Sequence, residues 1–241
     1  MPATAITTTK LGCHTLSVLT ALHVQDTAII EEIHPLAPEL IDDQARLLLE
    51  DMHVQAICVG PLYTTGAVSV LAQIAADYTD VPLILHMGKL PDESLMEDAD
   101  PEDTLAAILE LLLPQTDLAV ADYSLLEQWR SQGMLPGSGD PQQALLDHGA
   151  NWALSIAAPL RQGQHSYLLS NQDNDTSQWP WLAPTARLSD PDGPLFAAIT
   201  AAVAQGQTIQ QAVAQAVSQN GDLTRPTFQP GMGNRLINRS A

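Results

Sequence analysis

Short β-rich runs alternate with longer stretches in which apolar residues return every three or four positions, the pattern left by crossover helices between parallel strands. Strands are predicted over 15–20, 54–59, 82–85, 117–120 and 152–156. Between them the periodicity predicts helices over 38–52, where Leu40, Ile41, Leu47 and Leu48 form the apolar stripe, over 65–77, over 103–112 before Pro114, and near 125–131. The segment 89–103 is acidic and broken by proline, so it reads as a loop. Residues 133–140 hold three glycines and a proline and form a connector. Asp140 ahead of Pro141 is a helix start, with a capping carboxylate followed by proline at the first helical position.

A more antiparallel portion begins at 165–169, and the polar tract 171–178 reads as an exposed hairpin tip or loop. Two helices rich in Ala, Val and Gln, over 195–205 and 208–219, complete the pattern. These elements make one domain over 1–220. The Gly-, Pro- and Asn-rich residues 221–241 are expected to be a loosely ordered tail. No repeat of fixed period and no second domain is visible.

Composition narrows the function. The 241 residues carry 28 acidic and 9 basic side chains, a formal charge of -19, and only Lys10 and Lys89 are lysines. A nucleic acid would meet no basic stripe, and an anionic membrane would be repelled. With 45% hydrophobic residues and 4% aromatics, the chain is expected to fold around an aliphatic core. Cys13 and Cys58 have neither zinc nor redox-pair spacing and read as buried small apolar groups in a reducing compartment. Thr7, Thr8 and Thr9 stand where a secretory signal needs an apolar run, and 105–113 is too short to span a bilayer. A cytoplasmic protein is expected.

Few local patterns suggest chemistry. His14, His23, His34, His53, His86, His148 and His165 show no metal-binding spacing, and no metal is expected. His86 is the best placed, at the carboxyl end of a buried strand where α/β proteins bind ligands. The carboxylates from Asp92 to Asp103 read as a solvated loop or helix cap. Gly137-Ser138-Gly139 lacks the strand and lysine of a phosphate loop, and nothing pairs Ser138 with a base. Trp179-Pro180-Trp181 reads as an extended strand packed on the sheet.

Two segments nonetheless carry a family likeness. Leu11-Gly12-Cys13-His14 leads into Thr20-Ala21-Leu22-His23-Val24-Gln25-Asp26-Thr27, which resembles the early segment of the hydroxymethylpyrimidine and phosphomethylpyrimidine kinases of thiamin biosynthesis, members of the ribokinase-like superfamily. Leu112 to Asp117, Ala144 to Leu154 and Gly193 to Ala202 are similar to later family segments in the same order. The resemblance implies a three-layer α/β/α ribokinase-like fold with a mostly parallel central sheet, a homodimer, and a pyrimidine pocket involving Gln25, Thr20, Val24 and Gly60, with His86 nearby. A glutamine amide both donates to and accepts from a pyrimidine edge.

The same resemblance marks departures at the positions for phosphoryl transfer. The family's Lys-Gly-Gly falls on Ile156-Ala157-Ala158, and its Gly-Thr-Gly-Cys anion hole and base fall on Pro191-Asp192-Gly193-Pro194. Its Asp-Pro becomes His86-Met87, its Pro-Asn-x-x-Glu becomes Ala121 to Leu125, and the lysine of its Lys-x-Gly becomes Cys58. Its first strand and Gly-Gly-Ala-Gly turn have no counterpart in 1–10, so part of the pocket is expected to be open or rebuilt. Catalysis of phosphoryl transfer is positioning plus charge stabilisation. Ile156, Asp192, Gly193 and Pro194 are therefore expected to be degenerate positions, and the leading expectation is a pseudo-kinase that binds a pyrimidine or a partner subunit. The alternatives are an active kinase, which alone would use ATP and magnesium, and a purely structural interaction protein.

Overall fold

The computed structural model describes residues 2–98, 100–137, 139–161, 163–184 and 186–239. In chain order, helix α1 (Pro2–Lys10) precedes the hairpin β1 (Ala21–Gln25) and β2 (Ile30–Pro35). Then come α2 (Pro38–Asp51), β3 (Ile57–Val59), α3 (Thr65–Asp77), β4 (Leu83–Met87), α4 (Pro101–Ala107), β5 (Leu118–Asp122), α5 (Tyr123–Ser131), α6 (Pro141–Asp147) and β6 (Trp152–Pro159). The antiparallel strands β7 (His165–Asn171) and β8 (Thr176–Trp181) are followed by α7 (Gly193–Ala204), α8 (Ile209–Thr224), β9 (Thr227–Phe228) and β10 (Leu236–Ile237).

The central sheet has the order β3-β4-β5-β6-β7-β8, parallel through β6 and antiparallel beyond it. Alternation along β5 shows how it divides the core: Ala119 and Ala121 face one apolar cluster, Leu118 and Val120 the other. The first cluster packs α2 to α6 on one face through residues such as Ile41, Leu71, Leu105, Leu126 and Leu145. The second packs α7 and α8 on the other face through Phe196, Ile199 and Val213. Helices on both faces make the expected three-layer α/β/α architecture, with a mostly parallel sheet.

Caps fix most helix starts. Thr64, Asp100, Asp140 and Thr208 each accept a backbone N–H from the first turn of α3, α4, α6 and α8, and Thr208 and Gln211 cap reciprocally. The acidic stretch 89–103 thus contains one cap, Asp100, and one loop-turn acceptor, Asp92, which takes the Ser94 N–H at 2.9 Å. The helix expected over 103–112 begins at Pro101 and widens to a π turn at Ile108–Leu112 before Pro114. Gly149 ends the turn after α6 at φ 104°, with Pro114 Cα only 3.0 Å from where a Cβ would stand. Pro180 lies in β8, an edge strand of the sheet, where its missing N–H is tolerated. Trp179 and Trp181 pack against the second cluster.

Three expectations change. Residues 15–20 form no strand: the Gln44 side chain takes both the N–H and the carbonyl of Leu19, at 3.2 Å each, in place of a neighbouring backbone. The ladder begins at Ala21 and belongs to a separate hairpin. The tail is the second case. α8 continues to Thr224, β9 pairs with β10, and Arg235 bridges to Leu188, so the segment read as loosely ordered is tied down. Its Gly, Pro and Asn residues form the turn of a short hairpin. Cys13 is half-buried, and Cys58 is exposed as a residue although burial raises the pKa of its thiol, so the expectation of two buried cysteines holds only for the Cys58 sulfur. Ser138 lies outside the described residues. Among the described residues no helix is long and apolar enough to cross a membrane.

Candidate functional site

A two-stranded hairpin is not stable alone, and the hairpin β1–β2 is docked by one of its faces. Ile33 is 4% exposed, and its N–H donates to the Leu95 carbonyl at 2.8 Å. On the same face the His23 ring lies 5.3 Å from Tyr63, in the loop after β3, and burial raises the Tyr63 phenol pKa. The Thr20 carbonyl closes the hairpin base by accepting from the Leu36 N–H at 2.9 Å. The register shifts between Val24 and Gln25, and Gln25 ends the ladder opposite Ile30. Its side chain makes no hydrogen bond among the described residues. At the tip, Asp26 accepts from the Ala28 and Ile29 N–H groups, which holds its carboxyl below the ordinary range.

Val24 does not line a cavity of its own chain. It stands with Leu22 on the outer face of the hairpin, 46% and 51% exposed. Gly60 follows β3 at the carboxyl edge of the sheet, and a Cβ there would meet nothing within 4 Å. The next loop crowds in close by: a Cβ on Gly88 would stand 2.5 Å from Pro61 Cγ. Gln25, Thr20 and Gly60 therefore occur on two neighbouring walls, the hairpin and the loops after β3 and β4. His86 lies toward the other face of the sheet, 5.2 Å from the Phe196 ring of α7. Burial lowers its pKa more than the Asp190 charge raises it, so it is neutral at neutral pH.

The positions singled out for phosphoryl transfer lie on β6 and at the start of α7. Ile156 is 1% exposed and belongs to the second apolar cluster, so its side chain is a packing group. The next residue, Ala157, has φ 59° in an irregularity of the β6–β7 ladder between Ser155 and Ala158. That is a glycine conformation adopted by an alanine. At the N-terminus of α7, the Gly193 N–H donates to Asp190 Oδ1 at 3.0 Å. A Cβ on Gly193 would stand 2.0 Å from the same carboxylate, so only glycine permits this approach. Pro194 has no N–H to offer. Arg239 Nη2 donates to Asp190 Oδ2 at 2.6 Å and Nη1 to Thr7 Oγ1 at 2.7 Å, with the Arg239 side chain 9% exposed.

Asp192 stands at this helix start without a capping hydrogen bond. Burial first, and then the charges of Asp122 and Asp190, push its pKa up to about 7. Asp122 ends β5 and accepts the Ser124 N–H at 2.7 Å at the start of α5. This corner thus concentrates negative charge and takes up protons. Among the described residues no group of three or more His, Cys, Asp or Glu side chains is arranged as a metal donor set. Sequence reading missed Asp190 and Arg239, which are 49 positions apart and meet only through the path of the C-terminal segment. The Asp-Pro-Asp-Gly-Pro run was the available signal for a carboxylate over a helix start.

The family model for phosphomethylpyrimidine kinase matches residues 3–238. A hydroxymethylpyrimidine/phosphomethylpyrimidine kinase of Mycobacterium leprae is 24% identical, over 86% of this chain and 76% of its own length. The enzyme of the same description from Streptomyces coelicolor is 28% identical, over 84% of this chain and 75% of its own length. Among solved structures, an ADP complex of Bacillus subtilis pyridoxal kinase superposes with a TM-score of 0.82, covering 100% of this chain and 92% of that one, at 16% identity. That likeness is one of fold.

Proposed function

The chain belongs to the phosphomethylpyrimidine kinase family, and from that premise we propose that it binds a small pyrimidine of thiamin metabolism without transferring phosphate to it. One observation carries this reading: the Asp190 carboxylate sits on the Gly193 N–H, next to a proline, at the helix start that the family resemblance assigns to the anion hole. A triphosphate brought there would meet a carboxylate held by its own arginine, the uncompensated Asp192, and Ile156 in place of a lysine. These residues do not fit magnesium-ATP. Loss of a single oxyanion donor typically costs ~10²–10³ in rate, and several such groups are replaced at once.

The pyrimidine wall supports the other half of the proposal. Gln25 presents an amide with no internal partner at the end of the hairpin whose His23 packs on Tyr63 of the loop after Gly60. The outer face of the hairpin, Leu22 and Val24, supports a homodimer in which two hairpins cover each other. Free Cys13 and Cys58 accord with a cytoplasmic setting.

Calorimetric titration tests the reading. Hydroxymethylpyrimidine is expected to give saturable heat, reduced about 3- to 10-fold in affinity by Gln25→Ala, the loss of one hydrogen-bonding amide. Magnesium-ATP is expected to give none. Heat from both with turnover would make the protein an active kinase; heat from neither would leave an interaction protein.

A further inference from the structure

The C-terminal segment 225–239 runs from the end of α8 to the hairpin tip and to the loop before α7, and consecutive residues grip each. The Asn234 N–H donates to the Thr27 carbonyl in the hairpin tip at 2.7 Å. Arg235 donates its N–H to the Arg187 carbonyl at 2.9 Å and accepts from the Ser189 N–H at 3.1 Å, in the loop that leads to α7. The Arg235 guanidinium folds back onto Thr227, 3.0 Å from both its hydroxyl and its carbonyl, and so fastens β10 to β9. A Cβ on Gly233 would lie 2.4 Å from the Thr27 backbone, so strap and tip approach more closely than any side chain allows. Farther along, Arg239 takes hold of Asp190 and of Thr7 in α1.

We propose that this segment is an autoinhibitory strap, which holds the Asp190 carboxylate over the start of α7 as a built-in substitute for a ligand anion while tying the hairpin tip to the same end of the sheet. The location rests on the functional reading above; the strap adds its regulation. Arg239 is the one guanidinium placed on Asp190 among the described ion pairs, and both its terminal nitrogens are engaged. The Gly193 N–H is engaged as well. An outside phosphate therefore finds its donors already used, and it can bind only by displacing a charge-assisted pair from a mostly buried place.

Titration of the full chain with sodium tripolyphosphate, without metal, tests the strap. Asp190→Ala frees the Gly193 N–H and Arg239, and is expected to bind at least 10-fold more tightly than the wild type. The order-of-magnitude range is about 10- to 100-fold. Asp190→Asn, which keeps the cap and removes the charge, should gain less, and Asp190→Ala with Arg239→Ala should lose the gain. Tryptophan near-ultraviolet dichroism reports folding in each, and Asp190→Asn decides the matter if Asp190→Ala fails to fold. In Arg239→Ala, hydrogen exchange of the hairpin amides 30–34 should quicken by about 10-fold while β5 keeps its protection. Equal affinity in wild type and Asp190→Ala, a folded charge-removal variant without gain, retention of the gain without Arg239, or unchanged hairpin exchange would each overturn the proposal. Absence of pyrimidine heat in the wild type would sink the pyrimidine reading alone, because the tripolyphosphate comparison is internal to the variants.

Discussion

Asp192 ionises near 3.8 in an unfolded chain and near 7 in the folded one, where burial and the charges of Asp122 and Asp190 oppose its ionisation. Between those values the folded state holds more protons, so this group's contribution to stability falls as pH rises from about 4 to about 7 and stays lost above that. Asp192→Asn is therefore expected to stabilise the protein by about 1–3 kcal/mol at pH 8, allowing for the solvent that still reaches the group, and to have little effect at pH 4. Urea unfolding at the two values checks the sign; equal effects at both would contradict it. Ala157 is a second residue-scale test. Its left-handed backbone predicts that Ala157→Gly raises stability by about 1 kcal/mol, read as a shift in the urea midpoint, despite the usual entropic cost of glycine in a strand.

Elements were legible in proportion to their local signals. Capping residues and 3.6-residue periodicity located α3 and the starts of α6 and α8, because those signals are contained in one stretch of chain. The strand expected over 15–20 failed for the opposite reason. A strand is completed by a partner, and Gln44 of α2 supplies the hydrogen bonds that a neighbouring strand would have supplied. The hairpin itself was readable after the fact: Leu22, Val24 and Ile33 flank a turn closed by Asp26. β9 and β10 were obscured by composition, since a glycine-rich stretch resembles a loose tail until its two short apolar pairs are matched. The outer face of the hairpin yields a prediction at this scale. Leu22→Glu with Val24→Glu should convert a homodimer to a monomer in sedimentation velocity, with the far-ultraviolet dichroism unchanged; a dimer that persists would remove that face from the interface.

Over the whole molecule, an aliphatic core on both faces of one sheet maintains the fold while the surface carries a charge of -19. The two are separable. The residues that identify the architecture lie in strands and helix stripes, whereas the character of the site depends on a few side chains at the carboxyl edge. Ile156, Asp192 and Pro194 could be singled out in sequence through the family resemblance, but the Asp190–Arg239 pair could not, because it depends on where the chain's end returns. The net field also disfavours polyanions at long range and weakens with salt as it is screened. The most direct measurement is a coupled assay of ATP consumption by purified protein with hydroxymethylpyrimidine and magnesium. The account predicts no turnover above a protein-free control, whereas steady turnover that vanishes when one side chain of the Asp190–Pro194 corner is replaced would contradict it.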